Sequence, residues 1–187
     1  MTEINHQMQA VFNRARCLVP AAVVEAKVTL LAQRITQDLS EKNPILMCVM
    51  IGGLVPAGML MSRLAFPLEL DYVHATRYGQ NLVGGALDWR VPPRLPLQGR
   101  TVLIVDDVLD GGLTLAGIVA HCQKAGAKEV LTMVLVDKRA ARMPGGLIEA
   151  DYVGLEVGPE FIFGMGLDYR GYFRNAPGIY CVAPEDQ

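Results

Sequence analysis

A strand that runs straight into acidic residues, then two glycines, then a helix leaves few folds open. Residues 101–114 read Thr-Val-Leu-Ile-Val-Asp-Asp-Val-Leu-Asp-Gly-Gly-Leu-Thr. The apolar run at 101–105 predicts a strand covered on both faces, because a half-exposed strand alternates apolar with polar. Asp106, Asp107 and Asp110 then stand at its carboxyl end, where open α/β sheets bind ligands. Gly111-Gly112 permits a turn whose N–H groups converge on an anion, and a helix starting near Thr114 adds a positive dipole end. Thr114 suits both capping that helix and offering its hydroxyl to the anion. Carboxylates repel phosphate, so the three acids must meet something else: sugar hydroxyls, a divalent metal or a proton. Asp106 and Asp107 suit a pair of vicinal hydroxyls, and Asp110, three residues on, suits a base.

The rest of the chain repeats the strand–loop–helix texture. Apolar runs at 45–50, 68–73 and 130–136 predict further strands, and patterns at 55–65 and 114–125 predict helices between them. That alternation is the mark of a parallel sheet flanked by helices. The first forty residues predict two leading helices. The second has Pro20 as its first residue and a face of Val24, Val28, Leu31, Ile35 and Leu39. Residues 75–96 contain Gly79, Gly84, Gly85, Pro92, Pro93 and Pro96 and read as one long functional loop. Residues 159–184 are rich in aromatics and glycine and predict a small antiparallel lobe with a last strand at 179–182. The expected organisation is one domain over residues 1–187: leading helices at 1–40, a core at 45–155 with the loop at 75–96, and a hood at 156–187.

Composition narrows the function. With 19 acidic and 17 basic residues the formal charge is -2, which argues against a nucleic-acid-coating surface. Cys17, Cys48, Cys122 and Cys181 form no CxxC pair, so neither a disulfide framework nor a zinc site is expected and a reducing cytosol is the default. Met1-Thr2-Glu3 lacks the charged and apolar stretches of a signal peptide. Residues 43–62 are uncharged, but Gly52-Gly53, Pro56 and Gly58 break the helix a membrane span needs. The expectation is a cytoplasmic protein without membrane or nucleic-acid partners.

On residues 102–114 the chain resembles the phosphoribosyl-pyrophosphate motif of the type I phosphoribosyltransferases, and more narrowly the hypoxanthine-guanine phosphoribosyltransferase family. The likeness extends over separate blocks between residues 45 and 182. It implies that Asp106 and Asp107 contact the ribose hydroxyls, one beside a magnesium ion. It further implies that Asp110 approaches the purine nitrogen that attacks the sugar, and that Gly111, Gly112, Leu113 and Thr114 hold the 5′-phosphate. The family usually has Thr or Ser where this chain has Gly111, so one hydroxyl contact is absent.

Other blocks carry further implied roles. Lys138, after a strand end, is implied to donate to the six-position oxo group of the purine; Arg142 is a weaker match to a pyrophosphate-binding arginine, with an ordinary surface role standing equally beside it. In the hood, Phe161 is implied to stack on the base, the backbone at Ile162 to read its two-position edge, Asp168 to hold a second magnesium and Arg174 to contact pyrophosphate. Gly52-Gly53 matches a loop whose dipeptide adopts a cis peptide and faces pyrophosphate, although Ile51 stands where many members have Lys or Arg. Residues 75–96 match the mobile catalytic loop: Tyr78 agrees with the family's Ser-Tyr pair, Arg77 departs from it.

The resemblance implies the type I phosphoribosyltransferase fold, Mg2+ as cofactor and a purine base with phosphoribosyl pyrophosphate as substrates. It also implies a homodimer or homotetramer. Two rivals stand beside transfer to hypoxanthine or guanine. One is a transferase of the same fold for xanthine, adenine or a pyrimidine; the other is a non-catalytic regulator that binds phosphoribosyl pyrophosphate or a nucleotide. His74 and His121 read as packing or surface residues, and Trp89 has no assigned role.

Overall fold

The computed structural model describes residues 2–77 and 87–187. Its centre is a six-stranded sheet in the order β4-β3-β2-β5-β6-β7, with β2 at Ile45–Val49, β3 at Glu69–Arg77, β4 at Leu87–Val91, β5 at Thr101–Leu109, β6 at Glu129–Asp137 and β7 at Tyr152–Glu156. All neighbouring strands pair in parallel except β3 with β4. Helices α2 (Ala21–Leu39) and α3 (Leu54–Met61) cover one face, and α4 (Leu113–Lys124) covers the other.

The apolar runs divide by parity, as a pleated strand requires. Leu46, Cys48, Leu103, Val105, Met133 and Leu135 pack with Val24, Val28, Ile35 and Leu60. Ile45, Met47, Val49, Val102, Ile104 and Val134 pack with Leu115, Ile118 and Cys122. Strands buried on both sides have no polar face to show, which is why their sequences do not alternate.

The hood is a second, antiparallel sheet in the order β1-β9-β8, with β1 at Arg16–Pro20, β8 at Ile162–Phe163 and β9 at Gly178–Cys181. Helix α1 (Glu3–Arg14) closes it, placing Met8, Val11 and Phe12 against Phe163, Tyr169 and Phe173. Phe163 and Tyr180 stack with centroids 5.5 Å apart. The hood's aromatics are thus mostly core.

Three expectations are corrected. The leading segment is helix, strand, helix rather than two helices, and Pro20 ends β1 and precedes α2 instead of opening it. The stretch at 75–96 is not all loop, since residues 75–77 extend β3 and Leu87–Val91 pairs back on it. Trp89 of that return strand rests on His121 of α4, centroids 4.7 Å apart, which gives both rings a packing role. Helix α4 begins at Leu113 with Gly112 as its cap and no side-chain cap, so Thr114 lies inside the first turn and its hydroxyl does not cap the helix. Tyr78 lies outside the described residues. Among the described residues, no helix is long and apolar enough to cross a membrane.

Candidate active site

Asp106 and Asp107 lie within β5, on the part that runs beyond the last β2 pairing of Cys48 with Val105. Asp106 is buried, and one of its carboxylate oxygens accepts the Asp107 amide at 2.9 Å. The loop after β2 closes over them. A methyl group at Gly52 would overlap the Asp107 carboxylate, and one at Gly53 would stand 2.6 Å from the Val105 carbonyl oxygen. Any other residue at either position would push the acids and the loop apart. The cis peptide of this loop joins Met50 to Ile51, one step before the two glycines rather than at them.

The turn after β5 has the expected cradle form. Gly112 is left-handed at φ +79, and a Cβ there would stand 2.8 Å from the Leu147 amide nitrogen. The first amides of α4 have no intrahelical acceptor, so they are free to face an anion. Beside Gly111, where the family carries a hydroxyl, a Cβ would meet the Met143 side chain at 3.1 Å. Asp110 and the turn at 111–114 line a recess of about 470 Å³ together with Gly52, Asp106, Asp107, Met143, Asp168 and Arg174.

A second recess, of about 190 Å³, lies against the hood and is lined by Lys138, Phe161, Ile162 and Leu167. The two recesses share Asp107, Val108, Asp110 and Asp168 as walls. Phe161 is half exposed and meets Tyr169 edge-on at 6.2 Å, whereas Ile162 is buried. The predicted base-binding residues thus come together in one recess and the predicted phosphate, sugar and metal residues in the other, except Gly53, which is buried, lines neither recess and donates its amide to the Val49 carbonyl at 2.9 Å. Arg174 spans the acids of the shared wall: it pairs with Asp168 at 2.6 Å, approaches Asp107 at 3.7 Å and donates to the Gly166 carbonyl at 2.6 Å.

Electrostatics single out the strand-end pair. Burial pushes the Asp106 carboxyl well above the usual range, and the negative charge of Asp107 pushes it further. Asp107 is raised by burial too, with Arg174 working against the shift. The nearby Cys48 thiol is pushed to about 11 by burial and then by the two acids. A carboxyl raised in the folded state costs nothing below its unfolded value near ~4; the cost grows as pH rises from there and is complete once pH passes the raised value. Asp106→Asn is therefore expected to melt above wild type at neutral pH, with the gap closing as pH falls toward ~4. A pH series of thermal melts checks this; a variant that melts below wild type at neutral pH would contradict it.

Arg142 departs from its implied role. It turns away from the recesses and binds backbone: its Nε donates to the Ile148 carbonyl at 2.9 Å, and its Nη2 pairs with buried Asp137. Nothing in the sequence marks this beyond its place four residues after Lys138. Val108, Met143 and Leu167 are lining residues that sequence reasoning missed, since their apolar side chains carry no chemical cue. Among the described residues no three His, Cys, Asp or Glu side chains gather into a metal cage. Carboxylates in ones and twos still fit Mg2+, which is commonly held by one or two of them and by substrate phosphates.

The model of the phosphoribosyl transferase domain matches residues 20–170. The hypoxanthine-guanine phosphoribosyltransferase of Bacillus subtilis is 31% identical over 170 residues, covering 90% of this chain and 93% of that protein. The bifunctional TilS/HprT protein of Listeria innocua is 33% identical over 91% of this chain, which spans only 26% of that longer protein. The Trypanosoma cruzi hypoxanthine phosphoribosyltransferase, solved with its product IMP, superposes with a TM-score of 0.85 at 27% identity, covering 92% of this chain and 96% of that one. The chain belongs to the phosphoribosyltransferases and, within them, to the hypoxanthine-guanine phosphoribosyltransferase family.

Proposed function

We propose that the chain transfers the 5-phosphoribosyl group from phosphoribosyl pyrophosphate to hypoxanthine or guanine, releasing IMP or GMP and pyrophosphate. The observation that carries this reading is the pair of recesses with Asp110 on their common wall. One recess has the glycine turn and acids suited to a phosphorylated sugar, and the other has an aromatic face and a cation suited to an oxopurine.

In this reading the amides at 111–114 hold the 5′-phosphate, and Asp106 and Asp107 accept the ribose hydroxyls. The loop at Gly52, with Arg174, holds the pyrophosphate. Phe161 stacks on the base, Lys138 donates to its oxo group, and the backbone at Ile162 meets its two-position edge. Asp110 takes the purine proton as the ring nitrogen attacks, and its charge favours the cationic sugar centre. Asp107, Asp106 and Asp168 are the residues to hold Mg2+, which when bound neutralises charge on the leaving pyrophosphate. Oxygen donors of this kind suit that ion, and Arg174 keeps Asp107 and Asp168 from repelling one another until it arrives. A homodimer or homotetramer in the cytoplasm completes the proposal.

The test is a spectrophotometric assay with phosphoribosyl pyrophosphate and each of hypoxanthine, guanine, xanthine and adenine. Turnover with the first two is expected with Mg2+ and is expected to vanish when the metal is chelated. No turnover with any base, under conditions where the protein is folded, would sink the proposal.

A further inference from the structure

We propose that Arg142 is the positioning residue of the base-binding half of the site, acting through the backbone of Asp110 and Lys138; this rests on the function proposed above. Its Nη1 lies 2.7 Å from the Leu109 carbonyl, 2.8 Å from that of Asp110 and 3.2 Å from that of Lys138. The other donors tie it to Ile148 and to the Asp137 carboxylate. Asp137, only 2% exposed, also lies 3.7 Å from Arg139. One guanidinium thus joins the ends of two adjacent strands, β5 and β6, at the two residues assigned to the purine.

The segment around Arg142 backs the whole turn. Lys138 N donates to Leu109 O at 3.0 Å, Met143 N to Gly111 O at 3.1 Å and Leu147 N to Gly112 O at 2.9 Å. The carbonyls of residues 109 to 112 are thus all engaged by donors from residues 138–147. The phosphate half of the turn is held by backbone amides, which no side-chain substitution removes. In the half that carries Asp110 and Lys138, the Leu109 and Lys138 carbonyls also take backbone amides, from Lys138 and Ala141, whereas the Asp110 carbonyl takes the Arg142 side chain. Lysine has the charge and three donors on one nitrogen, but no second and third nitrogen to bind the Ile148 carbonyl and the Asp137 carboxylate while the first meets the strand-end carbonyls, so it cannot stand in.

This division predicts a split that a general loss of folding would not give. In Arg142→Ala, KM for hypoxanthine should rise and kcat/KM for it should fall by about 100-fold, the cost of displacing reacting groups by roughly 1 Å. KM for phosphoribosyl pyrophosphate should stay close to wild type. Ethylguanidine added to Arg142→Ala should recover activity, and Arg142→Lys should stay as impaired as the alanine variant. Asp137→Asn, which keeps the guanidinium but weakens its anchor, should shift the hypoxanthine KM in the same direction and serves if Arg142→Ala does not fold.

If wild type turns over and these variants keep its hypoxanthine KM, or lose only kcat in proportion to folded protein, the positioning role is overturned alone. Wild-type behaviour of Arg142→Lys would overturn it as well. A wild type inactive with every base overturns both this role and the function beneath it.

Discussion

Replacing Asp110 by asparagine is expected to lower kcat by about 100- to 10,000-fold, the usual worth of a positioned acid–base group. The Asp110 side chain is exposed at the wall common to both recesses, while its carbonyl is fixed by Arg142. Asparagine keeps the shape and the backbone but has neither the charge nor the proton affinity. The phosphate turn at 111–114 is untouched, so phosphoribosyl pyrophosphate should bind Asp110→Asn nearly as it binds wild type. Steady-state kinetics together with calorimetric titration of phosphoribosyl pyrophosphate separate the two quantities. Turnover close to wild type in the variant would remove Asp110 from its role.

The second large effect concerns the choice of base. Lys138 is the cation in a recess otherwise lined by Phe161, Ile162, Leu167, Val108 and acids. An ammonium group only donates, so it meets the oxo group of hypoxanthine or guanine but faces the amino group of adenine, donor against donor. Sites that require a hydrogen bond reject an analogue lacking it by roughly 10,000-fold or more. Adenine should therefore be a negligible substrate for wild type, and Lys138→Ala should lose most activity with the oxopurines and with it most of the discrimination. Comparing kcat/KM for hypoxanthine, guanine and adenine on both proteins measures this. Adenine as the best substrate, or rates and ranking unchanged in Lys138→Ala, would show that the base is read elsewhere.

How much of this was legible in the sequence depended on how far apart the interacting residues lie. The strand, acids, turn and helix of residues 101–114 are contiguous, so their chemistry could be read where it stands. Strands β2, β5 and β6 were legible because each is buried on both faces over most of its length and so reads as an apolar run; the parallel strand β7, partly exposed over Tyr152–Glu156, was not. Strand β1 was not: Arg16–Pro20 has no turn before it, ends in proline, and is a strand only because it pairs with Gly178–Cys181 at the other end of the chain. Strand β4 did carry a signal, since Leu87-Asp88-Trp89-Arg90-Val91 alternates, but the glycines and prolines around it outweighed five residues of pattern. Arg142 was legible as a charge and no more. Its function lies in which carbonyls come within reach once β5 and β6 are side by side, and backbone acceptors leave no trace in residue identity.

The joining of β1 to β9 also sets an order of events. The pairing of Arg16 with Cys181 spans nearly the whole chain, and contacts between such distant residues form only after a long loop has been closed. During synthesis, strands β2, β5 and β6, with the acids and the glycine turn, emerge before the hood's last strand exists. The central sheet, with Asp106, Asp107, Asp110 and the glycine turn, is therefore synthesised before the strand that completes the hood, whereas Asp168 and Arg174 of the same recess arrive with the hood. Until Gly178–Cys181 is made, β1 is an unpaired edge waiting for its partner.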